Sequence, residues 1–149
     1  MSMVRELGDG LTGLEQLRAL IASGRRPGIA VSLDFTLTEV GEGTAVFVGT
    51  PGHHAYNPIG MVHGGYAATL LDSACGCAVH TQLSAKQSYS TLELKVAYHK
   101  TITEKTGPMR AEGRVVTLGR RVAFSEGRLV DSSGRLHASA TSTLLIIEQ

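Results

Sequence analysis

The chain has 149 residues and a formal charge of +1, from 14 Lys and Arg against 13 Asp and Glu. That length fits one ordinary globular domain, and the near-even charge argues against a dedicated nucleic-acid binder, which shows a clustered basic excess. With 42% hydrophobic and 18% charged residues, the chain can bury a core and lacks the composition of a disordered segment.

No apolar run approaches the roughly 20 residues of a membrane span. The opening MSMVRELGDGLTG lacks the basic-then-apolar layout of a secretory signal. The expectation is a cytoplasmic protein with neither membrane nor nucleic acid as partner. Cys75 and Cys77 are too few for a disulfide framework, and C-x-C within a helix points its thiols to different faces.

Residues 11–22 carry Leu14, Leu17, Leu20 and Ile21 at helical spacing, closed by Gly24 and Pro27, which predicts a short amphipathic helix. From 29 to 38 the period becomes two, with Val31, Leu33, Phe35 and Leu37 alternating against Ser32, Asp34, Thr36 and Thr38. A strand with one buried face is expected there. Glu42-Gly43 makes a turn into a second strand over 44–50, followed by a loop holding Pro51, His53, His54, Asn57 and Pro58.

Gly64-Gly65 opens the longest helical candidate, 65–82, whose residues are small or apolar on nearly every face. Such a helix is wrapped by protein on all sides. Next, 88–100 alternates Leu92, Leu94, Val96 and Tyr98 against Thr91, Glu93, Lys95 and Ala97. Three more strands, over 109–118, 122–130 and 135–147, follow turns at Gly107-Pro108, Gly119-Arg120 and 131–134. The 18 glycines fall largely between these runs, as hairpin turns require. There is no internal repeat and no linker, so the chain reads as one domain over 1–149, with a helical segment at about 11–24 and a core at about 29–147. One helix and a four-strand meander beyond it predict an α+β fold, an antiparallel sheet curled around the central helix with further surface covered by a second subunit.

Between Glu42 and Lys86 there is one charged residue, Asp72. At the chain's own 18% charge content, simple proportion would put about eight there. A carboxylate inside an apolar helix costs several kcal/mol unless paired, hydrogen-bonded or open to a wet cleft. It reads either as a packing device or as a functional group. Its company favours function. A helix N-terminus presents free N–H groups and positive dipole to an oxygen acquiring charge. His63-Gly64-Gly65 stands at that position, and glycines let a foreign carbonyl approach the backbone. Asn57 adds an amide and His63 a ring nitrogen. Together with Asp72 these are the parts of an acyl-transfer site: an oxyanion hole, plus a carboxylate that attacks or activates water. Gly64 and Asp72 are eight residues apart, about 12 Å along a helix axis. Acting on one carbonyl, they must come from two subunits, so the site predicts an oligomer.

The run N-P-I-G-M-V-H-G-G-Y-A-A-T-L-L-D, residues 57–72, together with S-x-L-E-L-K-V-x-Y at 90–98 in the strand that follows, resembles hotdog-fold acyl-CoA thioesterases of the phenylacetic-acid-degradation (PaaI-like) type. The resemblance covers about 29–147. It implies a hotdog dimer, commonly paired into a homotetramer, that hydrolyses a CoA thioester without a cofactor. Carried over by position, Asn57 and the Gly64 amide polarise the carbonyl, His63 orients that end of the site, and Gly65 lies against the substrate. Asp72 of the neighbouring subunit serves as base or nucleophile. The assisting hydroxyl maps to Thr91, with Ser90 one register away and on the opposite face.

Arg120 and Arg121, at a strand turn, are the basic candidates for the CoA phosphates, since guanidinium groups bind phosphate bidentately. Lys86, Lys100 and Lys105 read as ordinary surface lysines. No histidine pair has metal-ligand spacing, so no metal site is expected. Two alternatives stand beside the thioesterase: a hotdog dehydratase or hydratase using His63 with Asp72, and a non-catalytic acyl-CoA-binding domain.

Overall fold

Three helices open the chain in the computed structural model, which describes residues 2–149: α1 (Met3–Gly8), α2 (Gly13–Ser23) and α3 (Gly28–Leu33). α2 starts on a reciprocal cap, in which the Thr12 hydroxyl accepts from the Glu15 N–H and the Glu15 carboxylate accepts from the Thr12 N–H. It stops at Gly24, whose φ of 68° suits glycine. α3 corrects the strand expected from residue 29. Pro27 pre-sets the entry, the Asp34 N–H closes back on the Ala30 carbonyl at φ 58°, and only Ala30 of this turn is buried. Ile29 and Val31 are 54% and 57% exposed. Their alternation imitated a strand, yet it continues into one only from Phe35.

Six antiparallel strands follow: β1 (Phe35–Gly41), β2 (Thr44–Gly49), β3 (Gln87–Tyr98), β4 (Met109–Leu118), β5 (Val122–Asp131) and β6 (Leu136–Glu148). Their order across the sheet is β1-β2-β4-β5-β6-β3. The expected four-strand meander is therefore a meander of three. β3 does not neighbour β4; it pairs only with β6, at the far edge. The connection from β3 to β4 is too long for a tight hairpin and is fastened elsewhere. The His99 and Lys100 N–H groups both donate to the His137 carbonyl, and the Val62 N–H donates to the Ile102 carbonyl.

The sheet wraps α4 (Gly64–His80), which buries Ala67, Leu70, Leu71, Ala74, Cys75, Ala78 and Val79. Each large apolar side chain taken from water there contributes about 1.5–3 kcal/mol. Two glycines set how closely helix and sheet meet. Gly113 and Gly127 are directly opposite each other on β4 and β5. A Cβ on Gly113 would sit 2.2 Å from the Ala74 carbonyl oxygen, and one on Gly127 would sit 3.1 Å from Leu71. The helix backbone thus rests in a notch only glycine leaves open. Among the described residues no helix is long and apolar enough to cross a membrane.

Candidate active site

The loop before α4 folds back on itself, bringing Asn57 beside the helix start. Asn57 N–H donates to the Met61 carbonyl, and its Oδ1 accepts from the Ile59 and Met61 N–H groups at 3.1 and 3.2 Å. The amide oxygen is thereby occupied by the backbone, leaving Nδ2 as the free donor. The His63 N–H donates to the Ala55 carbonyl, which anchors the residue that caps the helix.

His63 Nδ1 accepts the Gly65 N–H at 2.7 Å. Two consequences follow. The neutral imidazole carries its proton on Nε2, and the Gly65 amide is no longer available to a ligand. Gly65 is thus not a donor in this arrangement. The Gly64 N–H, by contrast, has no partner among the described residues, so the unfilled donor at the positive end of α4 is Gly64. On its other side, the Tyr98 hydroxyl donates to the Gly64 carbonyl at 2.6 Å, closing the corner against β3. Asn57, His63, Gly64 and Tyr98 line one cleft of about 340 Å³ together with Lys100 and Ile102. Lys100, which as an isolated lysine reads as plain surface, stands on this cleft because the β3–β4 connection bends over the helix start. Tyr98 carries its own signal in the sequence: it is the last inward position of the β3 alternation.

Asp72 lies two turns further along α4, half-buried. Its Oδ1 accepts the Thr91 hydroxyl at 2.9 Å. Among the described residues it has no cationic partner, and Oδ2 accepts no hydrogen bond. Thr91 faces the helix because Leu92 is an extra residue in β3: Thr91 pairs with Leu144 and Glu93 with Thr143. Without that bulge, strict alternation would place Thr91 opposite Leu94, as the sequence reading did. With it, Tyr89, Thr91, Leu94 and Val96 share the inner face and Leu92 is 58% exposed. Ser90 pairs with the outward Leu145 and points away from Asp72. Around the carboxylate, burial pushes the Cys77 thiol up to about 12 and the Cys75 thiol up to about 11, with the Asp72 charge adding to both.

Within one chain the structure does not bring Asp72 to the Gly64 corner, since eight helical residues separate them. Nor does it bring Arg120 and Arg121 there. Both are exposed on the β4–β5 turn, where the Arg121 carbonyl accepts from Ile146 N–H. Ile146 packs with Val79 near the C-terminal end of α4, the end away from Gly64. No group of three or more His, Cys, Asp or Glu among the described residues could hold a metal ion.

An antiparallel sheet wrapped around one long central helix is the fold of hotdog-type thioesterases. The match to the thioesterase superfamily covers residues 59–138, and the chain belongs to that family. A supposed esterase of Saccharolobus solfataricus is 31% identical over 90 residues, which is 60% of this chain and 58% of that protein. One of Halobacterium salinarum is 34% identical over 84 residues, 55% of this chain and 54% of that one. The chain thus aligns to little more than half the length of these relatives. Among solved structures, a supposed thioesterase of Ralstonia eutropha, described as related to phenylacetic acid degradation, superposes with a TM-score of 0.76 at 27% identity, over 87% of this chain and 97% of that one. A Haemophilus influenzae thioesterase has a TM-score of 0.78 at 19% identity, covering 95% of each chain. A Streptococcus mutans protein bound to acetyl-CoA has a TM-score of 0.70 at 22% identity, over 77% and 90%.

Proposed function

We propose that the protein hydrolyses the thioester of an acyl- or aryl-CoA, in sites completed by a second copy of the chain. The observation that carries this reading is the division of labour along α4. Its start holds an unpartnered Gly64 N–H, and its middle holds Asp72, which is anchored by a hydroxyl rather than neutralised by a cation.

In the proposed reaction the thioester oxygen lies against the Gly64 N–H and Asn57 Nδ2, which stabilise the negative charge formed on attack. Asp72 of the neighbouring subunit takes a proton from water as the water oxygen bonds to the acyl carbon. Collapse of the tetrahedral species breaks the C–S bond, and the departing sulfur leaves as the CoA thiol or thiolate. Direct attack by Asp72 would instead form a mixed anhydride that water then opens; both routes use the same carboxylate. Thr91 holds that carboxylate in position, and His63 keeps the helix start capped while offering Nε2–H to the cleft.

The separation of about 12 Å between Gly64 and Asp72 along the axis is the reason for two subunits. The unpaired edge of β3 offers a surface for such an assembly, with Leu92 and Tyr98 58% and 56% exposed. A long edge strand of this kind is a template for pairing. The bound acetyl-CoA in the S. mutans neighbour of the same fold supports a CoA thioester as the ligand class. A panel of acyl- and aryl-CoAs assayed with a thiol-detecting reagent tests the reading. Asp72→Asn should lower turnover by about 10²–10⁴-fold with an unchanged melting temperature. No thiol release from any member of the panel would overturn it.

A further inference from the structure

An apolar cavity of about 330 Å³ lies between the N-terminal helices and the middle of α4. Leu17, Leu20 and Ile21 of α2, Ala30 of α3, and Phe35 and Leu37 of β1 form much of its wall. Arg25 and Arg26 border it, and both are already neutralised, Arg25 by Glu6 at 3.2 Å and Arg26 by Asp34 at 3.0 Å. No unpaired charge from these two groups is therefore left to recognise a polar ligand. Serine 73 could have supplied a hydroxyl, but Ser73 Oγ donates to the Thr69 carbonyl at 2.8 Å.

The inner end of the cavity is what gives it a meaning. It is lined by Ser73 and Cys77 of α4 and by Tyr89 of β3. Ser73 directly follows Asp72, and Tyr89 lies two residues before Thr91 on the same inner face of the strand. The cavity therefore ends one helix residue and two strand residues from the Asp72–Thr91 pair, neither of which lines it, while its outer wall is built by α1 to α3. Those helices lie wholly outside residues 59–138, the part matched to the superfamily.

We propose that this cavity receives the acyl portion of the thioester, so that the N-terminal helices, rather than the shared core, set which acyl groups are accepted. The inference rests on the thioesterase reading for the identity of its ligand. An apolar cavity of ~150 Å³ accommodates benzene, so about 330 Å³ has room for an alkyl chain or aryl group of roughly ten carbons. Polar acyl groups would lose their hydration there with few replacement partners.

Binding of two non-hydrolysable thioethers, S-decyl-CoA and S-methyl-CoA, measured by calorimetry, tests this. The unaltered protein should bind S-decyl-CoA the more tightly. Ala30→Leu and Leu20→Trp fill the cavity and should weaken S-decyl-CoA by roughly tenfold or more, because several methylenes lose their burial, while S-methyl-CoA is unaffected. Leu20→Ala, which cannot block the cavity, should retain S-decyl-CoA binding, and melting temperatures show which variants are folded. Equal affinity for the two thioethers in the unaltered protein, or parallel losses for both in folded cavity-filling variants, would overturn the assignment. Preferential S-decyl-CoA binding without thiol release from decanoyl-CoA would instead bring down the hydrolase reading and leave the cavity assignment intact.

Discussion

The Thr91 hydroxyl donates to Asp72 Oδ1 at 2.9 Å, and it does so because Leu92 bulges from β3 immediately after it. The bulge shifts the strand's phase by one residue. A polar position the alternation assigned to the outer face thereby becomes the only side chain bonded to the carboxylate among the described residues. Oδ2 is left without a hydrogen bond.

Thr91→Val removes that donor while keeping shape and β-branching. A hydrogen bond to a charged group contributes about 1.5–3 kcal/mol, so turnover should fall by roughly 10–100-fold. Ser90→Ala, on the opposite face, should leave turnover unchanged. Steady-state kinetics of the two variants decide the matter, and equal effects would show that the bulge does not select the residue.

The two-subunit site can be tested by complementation. Asn57→Ala and Asp72→Ala should each be inactive alone. After subunit exchange, a two-fold dimer containing one of each has one site with both groups intact, so random mixing should recover about a quarter of the parental activity. No recovery despite exchange seen by mass spectrometry would place the whole site within one chain.

Both thiols should react slowly in the folded protein. Burial raises Cys75 to about 11 and Cys77 to about 12, and only the thiolate reacts. Titration with a thiol reagent at pH 8 should therefore label both cysteines far more slowly in the native state than after denaturation. Rapid native labelling would contradict the packing around Asp72.

Acid should destabilise the fold in two separate windows. His80 is held neutral by burial, with Nε2 2.8 Å from Gln16 Oε1; its pKa lies below the ordinary histidine value. Its contribution is complete above about pH 6.5 and is lost as pH falls below that toward the depressed value. The Asp131 carboxylate is lowered by hydrogen bonds from the Ser133 hydroxyl and His137. Its contribution is complete above about pH 4 and is lost only as pH drops further. Melting temperature followed from pH 8 to pH 2 should show both slopes, and Asp131→Asn should flatten the lower one without changing the upper; Glu15, lowered by its bonds from Thr12, supplies part of what remains. A lower slope unchanged in this variant would assign it to other carboxylates.

Much of the architecture and the candidate site could be read from local pattern. The span of α4, the strands from β2 onward within a residue or two, the placing of Gly64 at a helix start and the isolation of Asp72 are all properties of neighbouring residues. Periodicity and composition therefore carry them, and the N-x(5)-HGG-x(6)-D run carries the family. Periodicity failed at α3, because Ile29, Val31 and Leu33 satisfy a two-residue repeat as well as one turn of helix. It also failed to anticipate α1.

What only the tertiary structure decided are relations between distant segments. β3 joins β6 rather than β4, and that connection carries Tyr98 and Lys100 to the Gly64 corner. The Leu92 bulge turns Thr91 inward, Gly113 and Gly127 meet to admit the helix backbone, and α1 to α3 enclose an apolar space ending at Ser73, Cys77 and Tyr89. The physical reason is that strand order, a phase shift and a cavity wall are fixed by packing across the whole sheet. A period of two is the same on either side of a bulge, so it reveals an alternation but not which half of it faces in.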